Sequence, residues 1–122
     1  MEKLFKRLTE LMHAKQLYAN PNTTRKQVAE AVNTNEAYLH RTIKFKTGLT
    51  FTQYIYQLRL DYARIRFEDP TEINTIETIA LEAGYRSRKT FHRHFRLMYG
   101  CTPTEYRRKF QPNISQNVLR YL

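Results

Sequence analysis

The chain has 122 residues, room for one domain or two very small units sharing a core, and 41% of them are hydrophobic. Twenty-one Lys and Arg against eleven Asp and Glu leave a net charge of +10, which calls for a polyanionic partner: DNA, RNA or an anionic membrane surface. The single Cys101 excludes an internal disulfide and a Cys-based zinc site, and no apolar stretch approaches the ~20 residues of a membrane span.

In chain order, Leu4, Leu8 and Leu11, with Phe5 and Met12 beside them, repeat at helical spacing and predict an amphipathic helix ending before Asn20-Pro21. Glu2 and Glu10 interrupt this N-terminus, so it is not a signal peptide, and a cytoplasmic protein is expected. Thr24 and Gln27 stand in capping-box relation ahead of the apolar Val28, Ala29 and Val32. After the turn Asn33 to Asn35, a second helix runs to Thr47, closed by Gly48 as a left-handed cap. A longer helix follows from about Thr50 to Glu68, with Phe51, Ile55, Leu58, Tyr62 and Ile65 as its inward stripe and Asp69-Pro70 as its stop. Asn74 or Thr75 then caps a short helix with Ile76, Ile79 and Ala80 inside and Gly84 as terminator. A further helix runs from Arg88 to Tyr99, ended by Gly100, and Pro103 opens a last short one through Phe110. The stretch from 111 to 122 has little periodicity.

The segment LHRTIKFKTGLTFTQY (Leu39 to Tyr54) returns 52 positions later as FHRHFRLMYGCTPTEY (Phe91 to Tyr106). Each copy closes a pair of short helices joined by a turn, the outline of a helix-turn-helix. The expected fold is all-α, with about seven helices. Two helix-turn-helix units, at 20–49 and 70–110, are joined by a connector helix at 50–69 and flanked by an N-terminal helix at 1–19 and a tail at 111–122.

In the second copy Phe91, Phe95 and Met98 fall on one side as core anchors. The other side collects Arg88, Lys89, His92, Arg93 and Arg96, and from Arg86 to Arg96 there is no acid. A solvated helix face usually mixes charge signs, so this one is expected to face an anion. In the first copy Leu39 and Ile43 point inward, while Asn35, Glu36, Ala37, His40, Arg41 and Lys44 lie outward or at the helix start. A helix fits the DNA major groove, where Arg chelates guanine, Asn reads adenine and Glu accepts from cytosine. Arg41 and Arg93, at one offset in their helices, are the first candidates for base edges, with His40 and His92 next. By their charge Lys44, Arg86, Lys89 and Arg96 are assigned to phosphates, with Ser87 beside them at the helix start. The plainer alternatives are surface arginines paired with a nearby Glu, and a Glu36 that serves only the helix dipole. His92 and His94 point to different sides and cannot share a metal. No nucleophile–base–orienter set assembles, so no enzyme activity, cofactor or metal is expected.

These residues resemble the DNA-binding domain of the AraC family of bacterial transcription regulators. The second unit of that family reads roughly I-x-x-I-A-x-x-x-G-F/Y, F-x-R-x-F-K/R and G-x-T-P-x-x-Y-R. It stands here as Ile76, Ile79-Ala80, Gly84-Tyr85, Phe91, Arg93, Phe95-Arg96, Gly100, Thr102-Pro103 and Tyr106-Arg107. The first unit matches through Ala29, Tyr38-Leu39, Arg41, Gly48, Phe51, Arg59-Leu60 and Ala63. The resemblance implies homeodomain-like units whose recognition helices enter successive major-groove segments of double-stranded DNA. It carries base reading onto Ala37, His40 and Arg41 in the first unit, and onto Arg88, Lys89, His92 and Arg93 in the second. Ile43 departs from the family's usual Phe, and Ala37 offers no hydrogen bond, only a contact for a thymine methyl. The resemblance further implies contact with the transcription machinery. Many members carry an upstream sensing or oligomerisation domain, so an output domain and a stand-alone regulator both fit this chain. A general RNA or nucleic-acid binder that stacks bases on its Tyr and Phe residues is the rival class, and a protein-docking module is a second.

Overall fold

The computed structural model describes residues 1–111. Those residues form seven α-helices and one 3-10 turn, with no strand among them: α1 (Glu2–Lys15), the turn Leu17–Ala19, α2 (Arg25–Ala31), α3 (Glu36–Thr47), α4 (Phe51–Glu68), α5 (Ile76–Glu82), α6 (Arg88–Tyr99) and α7 (Pro103–Arg108). Every helix from α2 onward starts on a hydroxyl or amide side chain, and each such cap contributes about 1 kcal/mol. Thr24 and Thr50 form full capping boxes with Gln27 and Gln53. Asn35, Thr75, Ser87 and Thr102 each accept from the amide three residues on. Gly48 and Gly100 end α3 and α6 at φ 76° and 77°, the left-handed conformation that costs other residues steric strain.

Two buried clusters result. The first joins Leu4, Leu8 and Met12 of α1 to Val28 and Ala29 of α2, Leu39 and Ile43 of α3, and Phe51, Tyr54 and Ile55 at the start of α4. The second joins Leu60, Ala63 and Phe67 of the same α4 to Ile79 and Ala80 of α5 and to Phe91 and Phe95 of α6. Helix α1 therefore caps the first cluster, and Arg7 adds a hydrogen bond to the Val32 carbonyl at 3.1 Å. The turns inside the two helix pairs close alike: the Ala29 carbonyl accepts from Thr34 N at 2.9 Å, and that of Ala80 from Tyr85 N at 3.0 Å. Each turn carries one left-handed residue, Asn33 at φ 59° and Gly84 at φ 109°.

Several elements differ from the sequence pattern. The first helix stops at Lys15, where Gln16 turns left-handed (φ 48°) and admits the 3-10 turn. Ile65 lies 59% exposed, because α4 buries the series Phe51, Ile55, Arg59, Ala63 and Phe67, and its inward side passes from one cluster to the other. Met98 is 40% exposed; the third inner position of α6 is Tyr99, which packs on the second cluster and donates to Asp61 at 2.7 Å. Helix α7 ends at Arg108, two residues before Phe110. Most of the tail, 112–122, lies outside the described residues.

Phe67 is fully buried, with edge contacts to Phe91 (6.2 Å between ring centroids) and Phe95 (5.6 Å). Phe67→Ala removes the ring around which α4, α5 and α6 meet. It should cost about 3–5 kcal/mol of unfolding free energy in a chemical-denaturation titration; a loss under about 1 kcal/mol would mean the second cluster does not depend on this ring.

Candidate nucleic-acid interface

Helices α3 and α6 are each the second member of a helix pair, and each inserts two anchors fully into its cluster: Leu39 and Ile43 for α3, Phe91 and Phe95 for α6. Burial of those anchors turns Ala37, Arg41 and Lys44, and likewise Lys89, Arg93 and Arg96, outward, and all six are exposed. His40 and His92 occupy equivalent half-buried positions at the edge of each face. In each imidazole one nitrogen, Nδ1 of His40 and Nε2 of His92, is shielded and has no hydrogen-bond partner among the described residues.

The exposed side chains are not equally free. Arg41 lies over the Tyr38 ring at 5.7 Å, a cation–π contact that orients the guanidinium without using its N–H donors. Lys44 donates to the Gly48 carbonyl at 3.1 Å. Glu36 pairs with Arg25 at 3.2 Å and Arg88 with Glu77 at 3.0 Å; in both pairs the two side chains are about half exposed, so the pairs are weak. The α6 face thus meets one acid, Glu77 of α5, which the run from Arg86 to Arg96 did not reveal. Arg41, Arg86, Lys89, Arg93 and Arg96 form no ion pair among the described residues. Asn35 and Ser87 spend their side-chain oxygens on helix caps, accepting at 2.8 and 3.2 Å, which leaves the Asn35 amide nitrogen available.

Three depressions that share lining residues form a furrow between the starts of the two helices. It opens beside Glu36, His40 and Thr24, passes Thr52 at the start of α4, then Pro21, Tyr56 and Arg59, and ends at Arg86, Ser87 and Thr90. The N-terminal ends of α3 and α6 therefore open onto one surface. Of the thirteen side chains singled out in the sequence, the furrow gathers Glu36, His40, Arg86 and Ser87; Asn35 caps α3, and the rest lie on the exposed or half-buried faces of α3 and α6 outside the furrow lining. Sequence patterning missed Thr52, Tyr56 and Arg59, because a polar residue on an amphipathic connector carries no signal until the fold shows that it faces a groove. No group of three or more metal-ligating side chains occurs among the described residues, and none of their helices is long and apolar enough to cross a membrane.

A model of the helix-turn-helix domain family matches residues 28–109. Among curated proteins, the chain is 35% identical over 82 residues to the regulatory protein SoxS of Escherichia coli (strain K12), covering 67% of this chain and 75% of that protein. It is 35% identical over 92 residues to the transcriptional regulatory protein YesN of Bacillus subtilis (strain 168), covering 74% of this chain and 25% of that protein. It is also 35% identical over 72 residues to the HTH-type transcriptional activator RhaR of Mannheimia succiniciproducens, covering 59% of this chain and 25% of that protein. The chain thus spans about a quarter of the length of these last two relatives. Among solved structures, an AraC-type DNA-binding-domain regulator from Chromobacterium violaceum shares the fold with a TM-score of 0.78 at 23% identity, covering 92% of this chain and 96% of that one. The DNA-binding domain of AdpA, solved in complex with a target DNA, shares it with a TM-score of 0.71 at 22% identity, covering 85% and 92%.

Where the furrow meets α6, Tyr56, Tyr85 and His94 pack together, with His94 edge-on to Tyr56 at 4.4 Å and its Nδ1 sharing a 2.9 Å hydrogen bond with the Tyr85 hydroxyl. Burial, helped by the neighbouring Arg93 charge, lowers the His94 pKa below its ordinary value. The unfolded chain therefore takes up the proton first, and the stability supplied by neutral His94 is present above about pH 6.5 and lost as pH falls through the lowered folded value. The melting temperature should drop over that window, and His94→Gln should flatten this part of the profile. An equally steep slope in the His94→Gln protein would assign the dependence to other groups.

Proposed function

The chain belongs to the AraC-type helix-turn-helix family, and from that premise we propose that it is a sequence-specific double-stranded DNA-binding module that controls transcription. Its α3 and α6 enter successive major-groove segments on one side of the duplex. The observation that carries this reading is the furrow onto which both helix starts open, together with Arg41, Lys89, Arg93 and Arg96 on the exposed faces of α3 and α6 and Arg86 at its end, none of which has an acidic partner among the described residues. Such a surface lowers its own electrostatic energy when phosphates replace its counterions. Helix α4, of 18 residues, spans ~27 Å at 1.5 Å per residue. Successive groove segments lie ~34 Å apart, and the bodies of the two units together with some DNA bending cover the difference.

On this reading Arg41 and Arg93 contact base edges, Arg41 from its platform on Tyr38. His40, His92, Lys89 and Arg88 read beside them, while Ala37 offers its methyl to a thymine. Asn35 and Glu36 reach the groove edge at the start of α3. Releasing Glu36 from Arg25, or Arg88 from Glu77, gives up an exposed pair that stabilises by at most about 1 kcal/mol. Lys44, Arg86, Ser87 and Arg96 hold phosphates and set register. Unit boundaries at 20–49, 50–69 and 70–110 follow from this division of labour. A single-strand stacking mode is disfavoured by the rings themselves: Tyr54, Phe67, Tyr85, Phe91 and Phe95 are buried in the clusters. Contacts with the transcription machinery, and an upstream sensing or oligomerisation domain, accord with a chain that spans about a quarter of the length of two of its regulatory relatives.

Selection of bound sites from a random duplex pool tests the reading directly, and should return two short blocks about one helical turn apart. On the selected site, Arg93→Ala should cost about 1–3 kcal/mol and relax base preference, whereas Lys44→Ala should weaken specific and random duplex alike and reduce the salt slope by about one. Enrichment of no motif, or equal loss on both duplexes for Arg93→Ala, would overturn the base-reading assignment.

A further inference from the structure

We propose that Arg59 is a positioning residue that locks the first helix-turn-helix to the second and so sets the spacing between the two DNA blocks that the protein accepts; this rests on the DNA reading above. Arg59 stands near the middle of α4 and is 8% exposed. Its Nε donates to the Tyr18 carbonyl at 2.6 Å and its Nη2 to the Asn20 carbonyl at 3.2 Å. Those carbonyls belong to the segment that leads into α2, so one guanidinium ties the entry of the first unit to the connector. The planar fork suits two acceptors two residues apart, which a lysine's single nitrogen cannot reproduce with the same geometry.

The second unit closes on the same point. A Cβ at Gly84 would stand 2.5 Å from the Tyr18 carbonyl oxygen, 2.8 Å from Arg59 Nε and 3.1 Å from the Ala19 carbonyl oxygen. The turn between α5 and α6 therefore rests its bare backbone on the Arg59–Tyr18 hydrogen bond. The equivalent turn of the first unit uses Asn33 at φ 59°, which an asparagine tolerates, whereas Gly84 at φ 109° is strained for any side chain; the close approach to Tyr18 and Arg59 is a second demand for glycine, absent from the first unit. Tyr85, the next residue, stacks on Tyr56 of α4 (5.7 Å, 21° between planes), and Tyr56 in turn lies under the Arg59 guanidinium. Two residues further on, Ser87 caps α6. Displacement at Arg59 is thus passed to the start of the second recognition helix through four consecutive residues.

The second unit supplies an internal control. Arg107 of α7 donates to the carbonyls of Asn74 and Glu72 at 2.6 and 2.9 Å, holding the segment that leads into α5. That is the same clamp chemistry, but both ends lie within the second unit. Loss of either arginine should destabilise the fold, and only loss of Arg59 should alter how the units are spaced.

The experiment measures binding to the selected two-block duplex and to versions with one or two base pairs inserted or removed between the blocks. The wild-type protein and Arg107→Met should lose at least about tenfold in affinity per displaced block, the scale of a misplaced base contact. Arg59→Met should bind the original site more weakly but discriminate among spacings by under about threefold, and Arg59→Lys should fall between. A DNA-free measurement accompanies it: nitroxides at Lys26→Cys on α2 and Arg108→Cys on α7, in a Cys101→Ser background, report the distance between units by electron–electron double resonance. Arg59→Met and Gly84→Ala should broaden that distribution at unchanged helical content, whereas Arg107→Met should not. A steep spacing profile and a narrow distribution in Arg59→Met overturn the clamp. A wild-type protein that ignores spacing overturns the two-block reading itself, an outcome visible before any variant is compared.

Discussion

Helix α4 belongs to two hydrophobic clusters at once, and the rest of the molecule depends on that sharing. Phe51, Tyr54 and Ile55 are buried with α1, α2 and α3, while Leu60, Ala63 and Phe67 are buried with α5 and α6. An 18-residue helix that must satisfy a separate cluster at each end cannot rotate or slide without exposing apolar surface on one of them, at roughly 25 cal/mol per Å². Tyr62 packs against both clusters and marks the crossover. The connector is consequently a structural member under constraint from both ends, unlike a flexible linker, and it carries α3 and α6 with it.

Within that frame the charges divide by position. Acids are concentrated around the connector and the approach to α5, where they satisfy half-buried arginines. Arg66 pairs with Glu72 and Glu82, and Arg64 with Asp61 and Glu68. The Arg66 guanidinium, with hydrogen bonds from Asn74, holds the Glu72 carboxyl down at about 2. Among the described residues, the ion pairs made around α3 and α6 use only Glu36 and Glu77, each in a single exposed pair, and Glu2 of α1 on Lys46. The half-buried Arg64 and Arg66 are neutralised by acids of the protein itself and the buried Arg59 and Arg107 are held by backbone carbonyls, whereas Arg41, Arg86, Arg93 and Arg96 have no ion-pair partner among the described residues. The net charge of +10 is therefore distributed with a purpose that the bare sum does not convey.

The two helix pairs share a construction and differ in surface chemistry. Both use a side-chain N-cap, a left-handed C-terminal glycine, two fully buried anchors and a half-buried histidine at the same offset. Beyond these, α3 presents Ala37, Arg41 and Lys44, and α6 presents the denser Lys89, Arg93 and Arg96. Common architecture fixes where each helix stands, while the exposed positions are released to vary, since substitution there changes little of the packing. Two units of the same shape can then read different base sequences along one duplex.

Helix content, caps, the paired units and the cationic faces were legible in the sequence, because each rests on residues close together in the chain. Thr24 with Gln27, Gly48, Gly100 and the anchors Leu39, Ile43, Phe91 and Phe95 declare themselves through spacing alone. The inward side of α4 was not, since its direction changes where it leaves one cluster for the next; hence Ile65 faces solvent and Arg59 is buried. Met98 and Tyr99 exchange roles because a hydroxyl of α6 finds Asp61, thirty-eight residues away in sequence. The same is true of the Arg88–Glu77 pair and of the contact among Tyr18, Arg59 and Gly84, all of which join separate elements. Local periodicity and capping chemistry determine which segments become helices and which faces carry charge. Only the folded chain decides which of those faces share a surface and what holds them at a set distance, because those terms arise between groups that the sequence places far apart.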